Sequence, residues 1–189
     1  MKRRQAGFTL TELMVVVAII GVLVTMALVY LRPRVRPIDV AIRFGDLVHE
    51  ASRRAVALGP VRDDVAQARV SKARTQITAA QVGTTVTFTL SRLQEDLPPA
   101  TTGQWIALEI YTTDSRVLPD SWAPGVGSYT ALSPTTDWST FSSQCRPDGS
   151  CEPRTLFFQA AIASPTYEQF ARISIMPLGG AVMTSPDWN

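Results

Sequence analysis

Residues 13–31 read LMVVVAIIGVLVTMALVYL, an unbroken apolar run whose only polar groups are the hydroxyls of Thr25 and Tyr30. As a helix these nineteen residues reach roughly 28 Å at about 1.5 Å each, enough to cross the hydrocarbon core of a bilayer. No modest soluble domain buries such a helix on every side, so the run sets the architecture: one anchor followed by whatever the remaining chain folds into. The residue in front of it is Glu12. A carboxylate drawn into the edge of a membrane costs on the order of 2–3 kcal/mol, and its presence calls for a partner.

Three kinds of N-terminus compete for this stretch. An ordinary secretory signal has a shorter apolar segment and a small-x-small cleavage site, and no convincing one follows here. A plain signal anchor fits the length and the basic flank of Lys2, Arg3 and Arg4, but gives no role to Glu12 or to the sharp Gly7-Phe8 junction. The third comes by resemblance. KRRQAGFTLTELMVVVAIIGVL resembles the class III signal of type IV pilins and type II secretion pseudopilins. The resemblance implies cleavage after Gly7 by a prepilin peptidase and N-methylation of the new terminal residue, Phe8. It also implies an assembly ion pair between the Glu12 carboxylate of one subunit and the Phe8 amine of a neighbour. Two charges that are each costly in lipid would then offset one another, making Glu12 a register device. Beyond the run, Arg32, Arg34 and Arg36 balance the leader charges, so charge alone does not orient the span. These outer arginines suit lipid head groups or acidic sites on neighbouring subunits.

The rest of the 189 residues is long enough for one modest domain. The formal charge of +2 is largely a leader property: without Lys2, Arg3 and Arg4 the chain holds 15 basic and 16 acidic residues. Pro33 and Pro37 interrupt the helix after the span. Asp39 reads as the N-cap of a second helix, in which Val40, Phe44, Leu47, Val48, Ala51, Ala55 and Leu58 share one face and Gly59-Pro60 ends it. From there the period turns to two. TQITAAQ and TTVTFTLSRL predict a hairpin around Val82-Gly83, and strands are expected over 104–113, 154–163 and 170–184. Residues 114–153, rich in Ser, Thr, Pro, Asp and Gly, read as a long loop whose Trp122, Tyr129, Trp138 and Phe141 form a small core of their own.

Cys145 and Cys151 enclose RPDGS, with a Pro-Asp-Gly turn signal. A disulfide suits that spacing and an oxidising compartment beyond the membrane; two reduced thiols in a loop are the alternative. The fold expected is α+β: a long N-terminal transmembrane helix, then a mainly antiparallel β domain. Its divisions are 1–7 leader, 8–31 span, 32–59 linker and amphipathic helix, and 60–189 β-rich domain.

Catalytic signatures are missing from the sequence. It has no nucleophile elbow, Walker loop or zinc-protease helix, and one histidine, His49, without an evident partner. Asp114, Asp120, Asp137 and Asp148 show no calcium-ligand spacing. Neither an enzymatic role nor a cofactor or metal is expected. Arg69, Lys72 and Arg74 suggest an anion site but read better as a solvated face.

FGDLVHEASRRAVALGPV and RISIMPLGGAV are similar to the helix-to-strand junction and the closing turn of the GspH/FimT group of minor pilins and pseudopilins, FimU-like members included. That resemblance implies a structural minor pilin that primes assembly and sits at the tip of a type IV pilus. Its partners would be the major pilin, other minor pilins and a tip adhesin-like protein, after passage through the inner membrane. The alternatives are a minor pseudopilin of a type II secretion system and a DNA-capturing pilin. DNA is the weaker partner, because Gly179-Gly180-Ala181-Val182-Met183 carries no arginine where the DNA-capturing members do. Residues 114–153 are the candidate contact for a tip partner, and deleting them is expected to spare folding.

Overall fold

A computed structural model describes residues 9–30, 35–63, 68–70, 73–94, 104–161, 169–177 and 182–185. The chain divides into two compact units, residues 1–34 and 35–189.

In the first unit a single helix, α1 (Leu10–Tyr30), carries the apolar run. No proline or charge interrupts it after Glu12, and the Thr25 hydroxyl donates to the Gly21 carbonyl one turn back. The one other polar group described within the span is thereby satisfied internally. The helix is long and apolar enough to cross a bilayer.

The second unit opens with α2 (Pro37–Leu58). The helix starts two residues before the position that Asp39 suggests as a cap. Pro37 fits the first helical position because it has no N–H to satisfy and its φ is already helical. Asp39 therefore stands one turn in and accepts the Arg36 backbone N–H at 3.0 Å. At the other end Gly59 takes φ 65°, and its N–H reaches the Val56 carbonyl at 3.1 Å. No basic residue occupies the last turn. Instead Arg74, only 4% exposed, donates to the Leu58 carbonyl at 3.5 Å. This corrects the view of Arg74 as part of a solvated face, and Lys72 lies outside the described residues.

Ten strands follow among the described residues. β1 (Val61–Asp63) and β2 (Ala68–Val70) form a short antiparallel pair. A first four-stranded antiparallel sheet has the order β5-β4-β3-β7, from β3 (Thr75–Val82), β4 (Thr85–Gln94), β5 (Gln104–Thr112) and β7 (Ser142–Cys145). β3 and β4 close as a two-residue hairpin with Val82 opposite Thr85. Gly83, φ 60°, supplies the positive angle such a tight turn requires. A second antiparallel sheet has the order β10-β9-β8-β6, from β6 (Val117–Pro124), β8 (Arg154–Ala160), β9 (Phe170–Ile175) and β10 (Val182–Ser185).

The core lies where α2 meets both sheets. Val40, Phe44, Leu47, Val48, Ala51 and Ala55 pack with Ile77, Val86, Phe88 and Leu90 of the first sheet and Leu156, Phe158, Ile173 and Ile175 of the second. Phe44 and Phe88 stand 4.7 Å apart between ring centroids, and Trp138 meets Phe88 edge-on at 5.8 Å.

The stretch 114–153 is therefore no separate loop. It contributes β6 to one sheet, β7 to the other and Trp122, Trp138 and Phe141 to the common core. Its deletion would remove an edge strand from each sheet, so the expectation that folding would survive is withdrawn. Tyr129 alone of its four aromatics lies outside that core. It covers Phe157 on the outer face of the second sheet, from a short helix α3 (Tyr129–Leu132), with ring centroids 5.0 Å apart.

Candidate functional site

The start of α1 concentrates the unusual chemistry. The backbone N–H of Leu13 bonds to the Thr9 carbonyl at 3.2 Å, which makes Thr9 the N-cap. Glu12 is then the third helical residue. Its Oε2 accepts the Thr9 N–H and the Thr9 hydroxyl, each at 2.9 Å, while the Thr9 Oγ1 accepts the Glu12 N–H at 3.3 Å. Thr9 and Glu12 thus form a reciprocal capping box. The carboxylate also sits where the helix dipole favours negative charge. The Thr-x-x-Glu spacing signals this arrangement, in which Glu12 serves its own helix as well as presenting a charge. Of the carboxylate, Oε1 has no partner among the described residues and is open to a second donor.

Behind this cap the α1 side chains described, residues 13–27, are exposed on every side and apolar apart from Thr25, with Leu13 at 60% and Met26 at 61%. Gly7, Phe8 and the basic residues Lys2, Arg3 and Arg4 lie outside the described residues, as do Arg32 and Arg34.

The other sequence candidates are used structurally. His49 is exposed on α2. Beside it Glu50 binds Arg53 and Arg54, and those guanidiniums, Arg54 foremost, hold its carboxyl below the ordinary value. The four aspartates of 114–153 each serve a local turn or strand contact. Asp114 grips Arg116 at 2.8 Å, Asp120 accepts the Ser121 hydroxyl at 2.8 Å, Asp137 caps a 3-10 turn at Ser139, and Asp148 holds the Ser150 N–H at 2.9 Å. Among the described residues no group of three His, Cys, Asp or Glu side chains is placed to hold a metal ion.

Cys145 and Cys151 are joined in a disulfide. The turn it closes is fastened to α2, since the Ser52 hydroxyl donates to the Gly149 carbonyl at 3.0 Å. Gly149 has φ 83°, and a Cβ there would come within 3.3 Å of Val56 Cγ2. Gly179, Gly180 and Ala181 lie outside the described residues.

A family model for the prokaryotic N-terminal methylation motif matches residues 2–28. No curated protein and no solved structure matches the chain. The match covers the basic N-terminal residues and most of α1, the same segment in which the capping box and the exposed apolar surface lie. It supports a type IV pilin-like protein, structural rather than enzymatic, whose apolar helix fits a membrane anchor. It also points to prepilin peptidase processing and assembly with other pilins.

Proposed function

We propose that the chain is a minor subunit of a type IV pilus-like filament, made as a precursor, cut between Gly7 and Phe8 and N-methylated on Phe8. Residues 1–7 are the leader and 8–31 the span, stored in the inner membrane with the domain that follows on the periplasmic side. Assembly withdraws the span from lipid into a bundle of similar helices at the filament axis. The subunit helps to prime that assembly and stays at the filament tip.

The observation that carries this reading is the contrast within α1: a helix exposed on every side yet tipped with a carboxylate. Lipid or other helices must cover the apolar surface, and a cation from outside the helix must answer the charge. The capping box pins Glu12 Oε2 to Thr9 and leaves Oε1 for the Phe8 amine of an adjacent subunit. A neighbour that supplies that amine is in register; one that does not leaves a charge in an apolar setting.

Replacing Glu12 by Ala or by Gln in the full chain tests this. Gln at the third helical position retains the capping geometry but not the charge. Both variants should be cut at Gly7, as read from the N-terminal mass, and remain in the membrane fraction, while both are lost from sheared filaments. Normal incorporation of Glu12→Gln would refute the charge role, and an uncut wild-type chain would refute the processing.

A further inference from the structure

The two four-stranded sheets present four edge strands, β5, β6, β7 and β10, and three of them are blunted. β6 holds two prolines, and its Trp122 exchanges backbone hydrogen bonds with Thr135 at 2.9 and 2.8 Å. β7 is four residues long. Its outward carbonyls at Ser142 and Gln144 accept Arg154 Nε at 2.7 Å and the Glu152 N–H at 2.9 Å. β10 is also four residues long. Short length, proline and cover are the ordinary defences of a sheet edge against another chain.

β5 has none of them among the described residues. Its nine residues, QWIALEIYT, include no proline and a single charge, Glu109. The Thr113 N–H donates to the Val86 carbonyl at 2.9 Å, which fixes the phase of the ladder. Tyr111 then turns its backbone groups to β4 as well, while Ile110 and Thr112 turn theirs outward. Those outward groups have no partner among the described residues.

The side chains agree with the backbone. Glu109 stands opposite Leu90 and Ala107 opposite Ser91, so Leu108 is an extra residue, a bulge. It offsets the alternation and brings Trp105 to the face of Ile110 instead of that of Tyr111. That face is turned away from Phe88 and Leu90, and on it Trp105 is 40% and Ile110 64% exposed. No side chain that alternates onto it from β3, β4, β5 or β7 is charged. A free protein surface carries roughly a quarter to a third charged residues. The core of an interface is depleted of them and enriched in aromatics.

We infer that β5 receives an extended strand of a different subunit, which hydrogen-bonds to Ile110 and Thr112 and lays apolar side chains beside Ile110 and Trp105. The first sheet thereby grows by one strand. The open backbone groups select a strand over a helix or a flat surface, because a strand alone answers them in series. A second β5 would join about a two-fold axis, whereas subunits along one filament are related by a screw. The inference rests on the filament reading above and adds the kind of segment that the neighbour supplies.

Three measurements on the full chain test it. Ile110→Lys sets a charge on the open edge and should lower incorporation into sheared filaments about tenfold or more, the effect of an unpaired charge at a buried contact. Thr78→Lys, on the same face but on the inner strand β3, should stay within about twofold of wild type. Both should keep the wild-type urea midpoint in detergent. The wild-type chain gives the second measurement, whatever the stability of the variants. Amide exchange at Ile110 and Thr112 should be about tenfold slower or more in filaments than in detergent. Third, the chain has no free cysteine, so Ile110→Cys offers one handle. A short thiol-directed photo-cross-linker on it should join, within filaments, a proline-free segment of another subunit. Incorporation of Ile110→Lys at wild-type levels would overturn the strand. So would loss of Thr78→Lys to the same extent, which means a partner lying on the whole face. Exchange as fast in filaments as in detergent, or a cross-link to a second copy of this chain, would overturn it too. Any of these with wild-type chain in filaments removes the strand and leaves the filament reading. Wild-type chain absent from filaments removes both.

Discussion

The two long helices of this chain solve opposite problems. α2 is amphipathic, and the partners of its apolar face are inside the molecule: Phe44 meets Phe88 and Phe141, and Val48 is fully buried. α1 is apolar all round, and none of its side chains from Leu10 to Ala27 is buried. The same residue types, Val, Leu, Ile and Ala, thus do different work. In α2 they hold one domain together. In α1 they stand exposed from Leu10 to Ala27, behind a capping box that holds a carboxylate at the helix start.

Truncating one large residue in each helix should break the symmetry of composition most sharply. Phe44→Ala removes a ring buried at the centre of the core and should lower the unfolding free energy of the domain by about 4 kcal/mol. Val17→Ala, at a position 61% exposed, should leave it unchanged. Urea unfolding of the full chain in detergent, followed by tryptophan fluorescence, measures both. All four tryptophans lie beyond residue 100, so the signal reports the domain alone. A large shift from Val17→Ala would show that α1 is part of the domain's own core.

Much of this division can be read in the sequence. The period of 3.6 in α2, the period of two in β3 and β4, and the apolar run of α1 all rest on local patterns that survive into the fold. The strand β6 does not announce itself. Its sequence VLPDSWAP holds two prolines, and proline in a strand usually argues against one. β6 lies at a sheet edge, where a missing N–H is tolerated, and its register shifts between Pro119 and Ser121. β7, four residues beginning Ser-Ser, is likewise an edge strand and too short for alternation to show. With both strands silent in the sequence, nothing there ties Trp122, Trp138 and Phe141 to the common core in which they lie. The start of α2 hides for a similar reason: a proline that interrupts a helix in its interior begins one at the first position, as Pro37 does. At the candidate site, Glu12 stands out by its charge. What it does within its own chain depends on Thr9, a residue whose cap is legible only as a pair.

A smaller effect should sharpen the view that the partners of α2 lie within the chain. The disulfide-closed turn is fastened to the outer half of α2 through Ser52 and Gly149. Replacing Cys145 and Cys151 together by Ser should cost the domain about 2 kcal/mol, the loop-closure value for so short a ring. Amide exchange should rise in the last turns of α2 while α1 is unaffected. Equal exchange in wild type and the double variant would show that α2 is held by the sheets alone.

The smallest effect is electrostatic and confined to the link between the two sheets. Asp114 lies in the turn from β5 to β6. The Arg116 side chain, and next its backbone N–H, hold the Asp114 carboxyl down at about 2 from an ordinary 3.8. A carboxyl whose folded value is depressed adds stability above its unfolded value and loses it as pH falls towards the folded one. The contribution should be complete above about pH 5 and be lost progressively between there and about pH 1. Side-chain exposures of 31% for Asp114 and 50% for Arg116 leave the pair well screened, so about 0.5 kcal/mol is the most to expect. Comparing urea midpoints of wild type and Asp114→Asn at pH 5 and pH 2.5 isolates this pair from the other carboxyls. The difference should shrink in acid and in 1 M salt. A difference that persists in acid would assign the role of Asp114 to turn geometry, through its hydrogen bond to the Arg116 N–H, rather than to charge.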